Sequence, residues 1–148
     1  MKIQTNNEFV EDASSLAESI LAYMADAVIY ADDAGTILRW NGAAADLFGY
    51  SPAEALGRSL DLIIPEDLRA AHWRGFEAAM RNGDTKLQGQ PTVTRTTDST
   101  GRKLYVEMTF ALVKERGALA ARGAVAVARD VTARVEQQRA NARRDNPR

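Results

Sequence analysis

The chain has 148 residues, enough to bury one hydrophobic core and too few for two ordinary domains. Apolar residues make up 45% and charged residues 26%, with a formal net charge of −1, so the basic footprint of a nucleic-acid binder is excluded. There is no cysteine, which excludes disulfides, thiolate metal sites, cysteine nucleophiles and a cysteinyl flavin adduct.

Residues 1–7 are polar. From Glu8, the residues Phe9, Ala13, Leu16, Ile20 and Met24 recur at spacings of 4, 3, 4 and 4, which predicts a helix with one apolar stripe and an acidic opposite face. In "AVIYADDAGTILRWN" (27–41), two β-rich runs flank an Asp-Asp-Ala-Gly turn, the pattern of a hairpin. "GAAADLFGY" is a short helical piece that stops at Gly49. "SPAEAL" carries a capping box, with Ser51 as N-cap, Pro52 next and Glu54 three residues after the cap. Pro65, Glu66 and Asp67 open a longer helix that runs to about Arg81, with the two acids at the positive end of its dipole. The period then changes from 3.6 to 2. Strands are expected over 87–97, 103–113 and 123–131, and "KLYVEMTFALV" sets Leu104, Val106, Met108, Phe110 and Leu112 on one face. Asp98–Gly101 and residues 115–122 are the turns between them, and the Arg- and Gln-rich tail from Val131 is helical in composition.

The order is helix, two strands, short helices, long helix, three strands, helix. Strands in two batches around a helical middle predict an α+β domain with one antiparallel sheet. The parts divide as residues 1–24 (amphipathic helix), 25–131 (core) and 132–148 (C-terminal helix and tail). The ends are oppositely charged. Residues 1–33 carry one lysine against seven acids, and residues 134–148 carry five arginines against two. No apolar run is long enough to span a bilayer, and no basic-then-apolar leader opens the chain. The expectation is a cytoplasmic protein with no membrane or nucleic-acid partner.

In this order and spacing the chain resembles a PAS domain over about residues 18–133. The segments that carry the likeness are "ADAVIYADDAGTILRWNGAAADLFGYSPAEALGRSL", "LIIPEDLRAAH", "DSTGRKLYVEMTFALV" and "GAVAVARDVT". The resemblance implies a five-stranded antiparallel sheet with helices over one face, a ligand or cofactor space beneath the long helix, and terminal helices that dimerise and pass a signal on.

His72 is the one histidine of the chain. Seven residues past Pro65, it stands where the "IPEDLRAAH" segment resembles the proximal helix of FixL-type and Dos-type haem PAS sensors. That likeness implies His72 as the proximal ligand of haem b, since neutral imidazole is the usual axial ligand of haem iron. Helical spacing brings Leu68, Arg69, Gly75, Phe76 and Ala79 beside it, and the small Gly75 and Ala79 leave room for a flat macrocycle. Ala126 matches a small residue of the haem sensors. Leu104, Val106, Met108 and Phe110 are candidates for an apolar wall, and Lys86 for a partner to a haem propionate. Two positions depart from the resemblance. Gln90 stands where Dos-type sensors place an iron-binding methionine, and Thr92 where oxygen sensors place an arginine. Either offers only a neutral hydrogen bond to a bound diatomic.

Asp130 and Thr132 fall at the family's signal-transfer position and also suit the start of the last helix. Asn41 is expected either to bond backbone near the second strand's end or to serve as a turn residue. Trp40 and Trp73 are expected to be packing or partly exposed residues. No nucleophile elbow, phosphate loop or metal triad is present, and Glu107 is a single carboxylate on a strand, so no enzyme is expected. The expected function is a stand-alone sensory or ligand-binding module that signals in trans to an effector protein as a homodimer through its terminal helices. Its occupant is either haem, with a gas or redox signal, or a small organic ligand. A cofactor-free interaction module is the remaining alternative.

Overall fold

The hairpin at residues 27–40 starts a sheet that the rest of the chain completes. The computed structural model describes the backbone of residues 5–146 and the side chains of residues 14–146. Its elements are α1 (Thr5–Tyr23), β1 (Ala27–Asp32), β2 (Ile37–Trp40), α2 (Gly42–Phe48), α3 (Pro52–Ala55), a 3₁₀ turn (Leu60–Leu62), α4 (Glu66–Asn82), β3 (Thr92–Thr97), β4 (Lys103–Val113), β5 (Gly123–Asp130) and α5 (Thr132–Asp145). The sheet is antiparallel, in the order β2-β1-β5-β4-β3. The chain therefore leaves one edge after β2, crosses through the short helices and α4, and returns at the other edge. Among the described residues no helix is long and apolar enough to cross a membrane.

Local chemistry sets these elements. In the β1–β2 turn, the Asp32 carboxylate accepts from the Ala34 and Thr36 amides at 3.0 and 2.9 Å. Gly35 takes φ +79°, and a Cβ there would collide with the Trp73 ring. Ser51 and Glu54 form the expected capping box. Gly83, at φ +71°, ends α4 in the left-handed conformation.

Alternation sorts the two faces of the sheet. Inward go Ala27 and Ile29 of β1 and Leu104, Val106 and Met108 of β4. They pack with Ile37, Trp40 and Phe48 into the core. Each large side chain buried here contributes about 1.5–3 kcal/mol. Trp40 and Phe48 meet at 5.5 Å between ring centroids, and the Trp40 indole donates to the Tyr50 carbonyl at 2.9 Å. β5, near the middle of the sheet, faces inward with Ala124, Ala126 and Ala128. Three methyl groups make a low floor. Above it lies α4, whose only buried residue is Met80.

α1 and α5 attach on the outer side. Arg39 of β2 pairs with Glu18 of α1 at 3.0 Å, and Arg134 of α5 with Glu107 of β4 at 3.0 Å. Of the stripe expected on α1, Phe9 and Ala13 lie outside the described side chains, and Leu16 and Ile20 are exposed.

The strand expected at 87–97 begins only at Thr92. Residues 87–90 instead form turns, with Gln88 at φ 48° and Gly89 at φ 76°. Pro91 follows, and its nitrogen has no hydrogen to give a ladder. The apolar Leu87 and the length of the run concealed this break.

Candidate functional site

Because the floor is low and α4 stands above it, space remains between helix and sheet. It forms two chambers. The first, about 560 Å³, lies under the C-terminal half of α4 and includes Gly75, Ala79, Lys86 and Leu112. The second, about 430 Å³, lies under its N-terminal half and includes Ile63, Leu68, Thr92, Met108 and Ala126. Both volumes fall in the range of small-molecule sites. His72, Phe76 and Phe110 line both chambers and so stand at their junction.

His72 is held among rings. Trp73 meets it edge-on at 4.8 Å and Phe76 stacks on it at 5.8 Å. Its Nδ1 is buried and has no hydrogen-bond partner. Burial pushes the His72 pKa below the usual histidine value, and the Asp61 carboxylate pulls only partly the other way. The folded protein therefore holds a neutral imidazole. The stability that comes with the neutral ring is complete above about pH 6.5, where the unfolded chain is neutral too. It is lost as pH falls from there toward the folded-state value, because the unfolded chain takes up its proton first. Urea titrations between pH 7.5 and 5.5 should show this loss, and His72→Phe should remove that part of it. The same pH slope in both proteins would contradict it.

Neighbouring groups fix α4 beside this ring. The Trp73 indole donates to Asp61 Oδ1 at 2.8 Å, and Arg69 donates to the Ile64 and Asp61 carbonyls at 3.0 and 3.2 Å. Asp67 at the start of α4 pairs with Arg95 of β3.

The residues expected in the site divide as follows. His72, Phe76 and Phe110 line the junction; Gly75, Ala79 and Lys86 line the first chamber; Thr92, Met108 and Ala126 line the second. Gln90 does not join them. It is exposed in the turn before β3, its amide bonded to the Leu87 carbonyl at 2.8 Å, because the strand starts later than expected. Leu104 and Val106 belong to the packed core and line neither chamber. Sequence reasoning passed over Asp61, Thr94, Arg95 and Thr96. The inward register of β3, Thr92-Thr94-Thr96 opposite Met108-Val106-Leu104, was the available signal for the threonines.

At the far end of β5, the Asp130 carboxylate accepts from the Thr132 amide at 2.9 Å and from its hydroxyl at 2.6 Å. The same hydroxyl oxygen accepts from the Tyr105 amide of β4 at 3.0 Å. The N-cap of α5 is Val131, without a side-chain cap bond, so the Asp130–Thr132 pair serves as a tie to the neighbouring strand in place of the expected cap. About two turns further on, Arg139 donates to the Tyr105 hydroxyl at 2.8 Å. Asn41 does more than a turn residue. Its side-chain oxygen accepts from Val28 and Ala44, both at 2.9 Å, and its amide donates to the Leu21 and Asp26 carbonyls at 2.9 and 3.0 Å.

Comparison with known proteins agrees with this architecture. The chain is 27% identical over 81 residues to the oxygen sensor protein DosP of Escherichia coli, a match that covers 55% of this chain and 10% of that one. It is 41% identical over 54 residues to the sensor protein FixL of Bradyrhizobium diazoefficiens, covering 36% of this chain and 11% of the relative. The chain thus spans only about a tenth of either relative's length. The crystal structure of the PAS domain of a Colwellia psychrerythraea protein superposes with a TM-score of 0.70 at 22% identity, over 82% of this chain and 99% of that one. The model of the PAS fold matches residues 15–131, and with the sheet order and the cavity beneath α4 this chain belongs to the PAS family.

Proposed function

We propose that this PAS domain is a sensory module that holds haem b beneath α4, with His72 as the axial ligand. The observation that carries this reading is the His72 ring. It is a neutral imidazole at the junction of two largely apolar chambers. The other residues suit the group as well. Gly75 and Ala79 are small, Met108, Phe110 and Ala126 are apolar, and Arg74 and Lys86 are cations lining the first chamber that suit propionates. When bound, haem supplies an iron whose redox state or open coordination position responds to a diatomic gas. The sensor names of DosP and FixL support the same reading. Of the two positions considered for a neutral hydrogen bond to a diatomic, Thr92 keeps a place at the cavity wall. This chain's own part is to hold a neutral nitrogen and exclude water around it. A change there reaches β5, then the Asp130–Thr132 tie, then α5 and an effector protein. Titrating the purified protein with haemin should give a Soret band that saturates at one haemin per chain. A spectrum indifferent to haemin would overturn the reading.

A small organic ligand is the second reading, and the Thr92 and Thr94 side chains on the wall of the second chamber favour it.

We further propose a homodimer in the cytoplasm, built on α1. Leu16, Ile20 and Tyr23 are exposed at helical spacing, an apolar face uncovered among the described residues, and the acidic α1 complements the basic α5. Light scattering at micromolar concentration should give twice the chain mass of 16.2 kDa. A monomer would refute it.

A further inference from the structure

We propose that Asn82 is a site of spontaneous, one-way chemical modification that releases the loop between β4 and β5 from the end of α4. The chain holds two Asn-Gly pairs, Asn41-Gly42 and Asn82-Gly83. A glycine after asparagine leaves the following backbone nitrogen unhindered, because no Cβ stands beside it. That nitrogen attacks the asparagine Cγ, and the side-chain nitrogen leaves as ammonia, taking the proton that the backbone amide gives up. Water then opens the resulting succinimide ring at either carbonyl. The product is aspartate or isoaspartate. In isoaspartate the main chain runs through the side-chain carbonyl and is longer by one carbon.

The fold treats the two pairs differently. Asn41 is 8% exposed and its side chain makes four hydrogen bonds, so the nitrogen that would leave is locked to the Leu21 and Asp26 carbonyls. Asn82 is exposed, as the last residue of α4. What guards it is the helix end and the loop docked there. The Gly83 amide donates to the Ala79 carbonyl at 2.9 Å, and the Gly83 carbonyl accepts from Lys114 Nζ at 2.9 Å. The Ala121 amide donates to the Met80 carbonyl at 2.9 Å, and the Leu119 carbonyl lies against Gly83 where a Cβ would stand. Lys114, Leu119 and Ala121 all belong to the loop, residues 114–122. Attack needs the Gly83 nitrogen freed from Ala79, which takes a local opening of the last helical turn and leaves the core intact. Isoaspartate then displaces Gly83 by the inserted carbon. Either product puts a carboxylate at the negative end of the helix dipole. The contacts that join the loop to Met80 and Gly83 depend on the native spacing and are lost. Neither haem nor any other ligand enters this chemistry.

The test incubates the full folded chain at mildly alkaline pH and maps its peptides by mass, with isoaspartate read by enzymatic methylation. A parallel sample in urea gives the rate of each pair without the fold. In the folded chain Asn82 should convert at least about tenfold faster than Asn41, and in urea the two should convert at similar rates. Lys114→Met removes the bond to Gly83 and should speed conversion of Asn82 by about three- to tenfold. Hydrogen exchange at the Ala121 amide should quicken as the parent chain converts. Asn82→Gln keeps an amide but closes a ring far more slowly, so the same incubation should leave its Ala121 exchange unchanged. Asn82 converting no faster than Asn41 in the folded chain would overturn the proposal. So would an Ala121 amide that exchanges at the same rate before and after conversion. An unaltered rate in Lys114→Met would overturn the guarding role given to the loop.

Discussion

His72→Ala should bind haemin at least about 100-fold more weakly than the parent chain, since loss of even a supporting residue around a metal ligand costs 10–100-fold. The expected change is loss of the saturating Soret band at haemin concentrations where the parent is full. The variant also removes the ring that stacks on Phe76, so some loss of packing accompanies the loss of the nitrogen. Added free imidazole separates the two effects. It fits the vacated space and should restore the band if the fold is intact and the nitrogen is what matters. An alanine variant with an undiminished band would eliminate His72 as the ligand.

Asn41→Ala should cost about 5 kcal/mol of stability, read by urea denaturation. Four hydrogen bonds disappear, and the buried Val28 amide loses its acceptor. Each bond contributes about 1 kcal/mol net, and a stranded buried amide adds about 1–3 kcal/mol. Asn41→Asp divides the residue's two jobs. It retains an acceptor for Val28 and Ala44 but presents an oxygen to the Leu21 and Asp26 carbonyls, which then have no donor. The sheet and α2 should stay folded while the C-terminal turn of α1 exchanges its amide hydrogens faster. Uniform destabilisation of the whole domain would show that α1 is not attached through this side chain.

What could be read from the sequence and what could not follow from physical causes. The strands β4 and β5 were legible because one face of each is buried and the other is not, so the period of 2 is written in residue type. The capping box and the glycine stop at Gly49 announced helix ends through local residue chemistry alone. β3 was misplaced because its start depends on Gln88 adopting φ 48° and on Pro91 refusing a ladder bond, and neither shows as hydrophobic pattern. That one displacement removed Gln90 from the site. His72 was legible from its distance to Pro65. Its lack of a partner was not, because that depends on what four other elements place around it. Thr96 was invisible for a similar reason: a threonine on a strand looks alike whether its hydroxyl meets water or is buried without a partner. Asp61 lies eleven residues before His72, outside any helical spacing, and is brought to Trp73 only by the 3₁₀ turn.

The alanines of β5 have a consequence for how such a domain changes over generations. The volume beneath α4 is set by side-chain size at Ala124 and Ala126, on a strand hydrogen-bonded on both sides. Loops and backbone need not alter for the cavity to shrink or reshape. One substitution of alanine by valine or leucine resizes it in a single step while the helix, the hairpin and the exit into α5 stay as they are. Ligand preference is thereby free to drift independently of the output machinery. The same substitution, made large enough, stands in for an occupant and gives a permanently filled form of the protein.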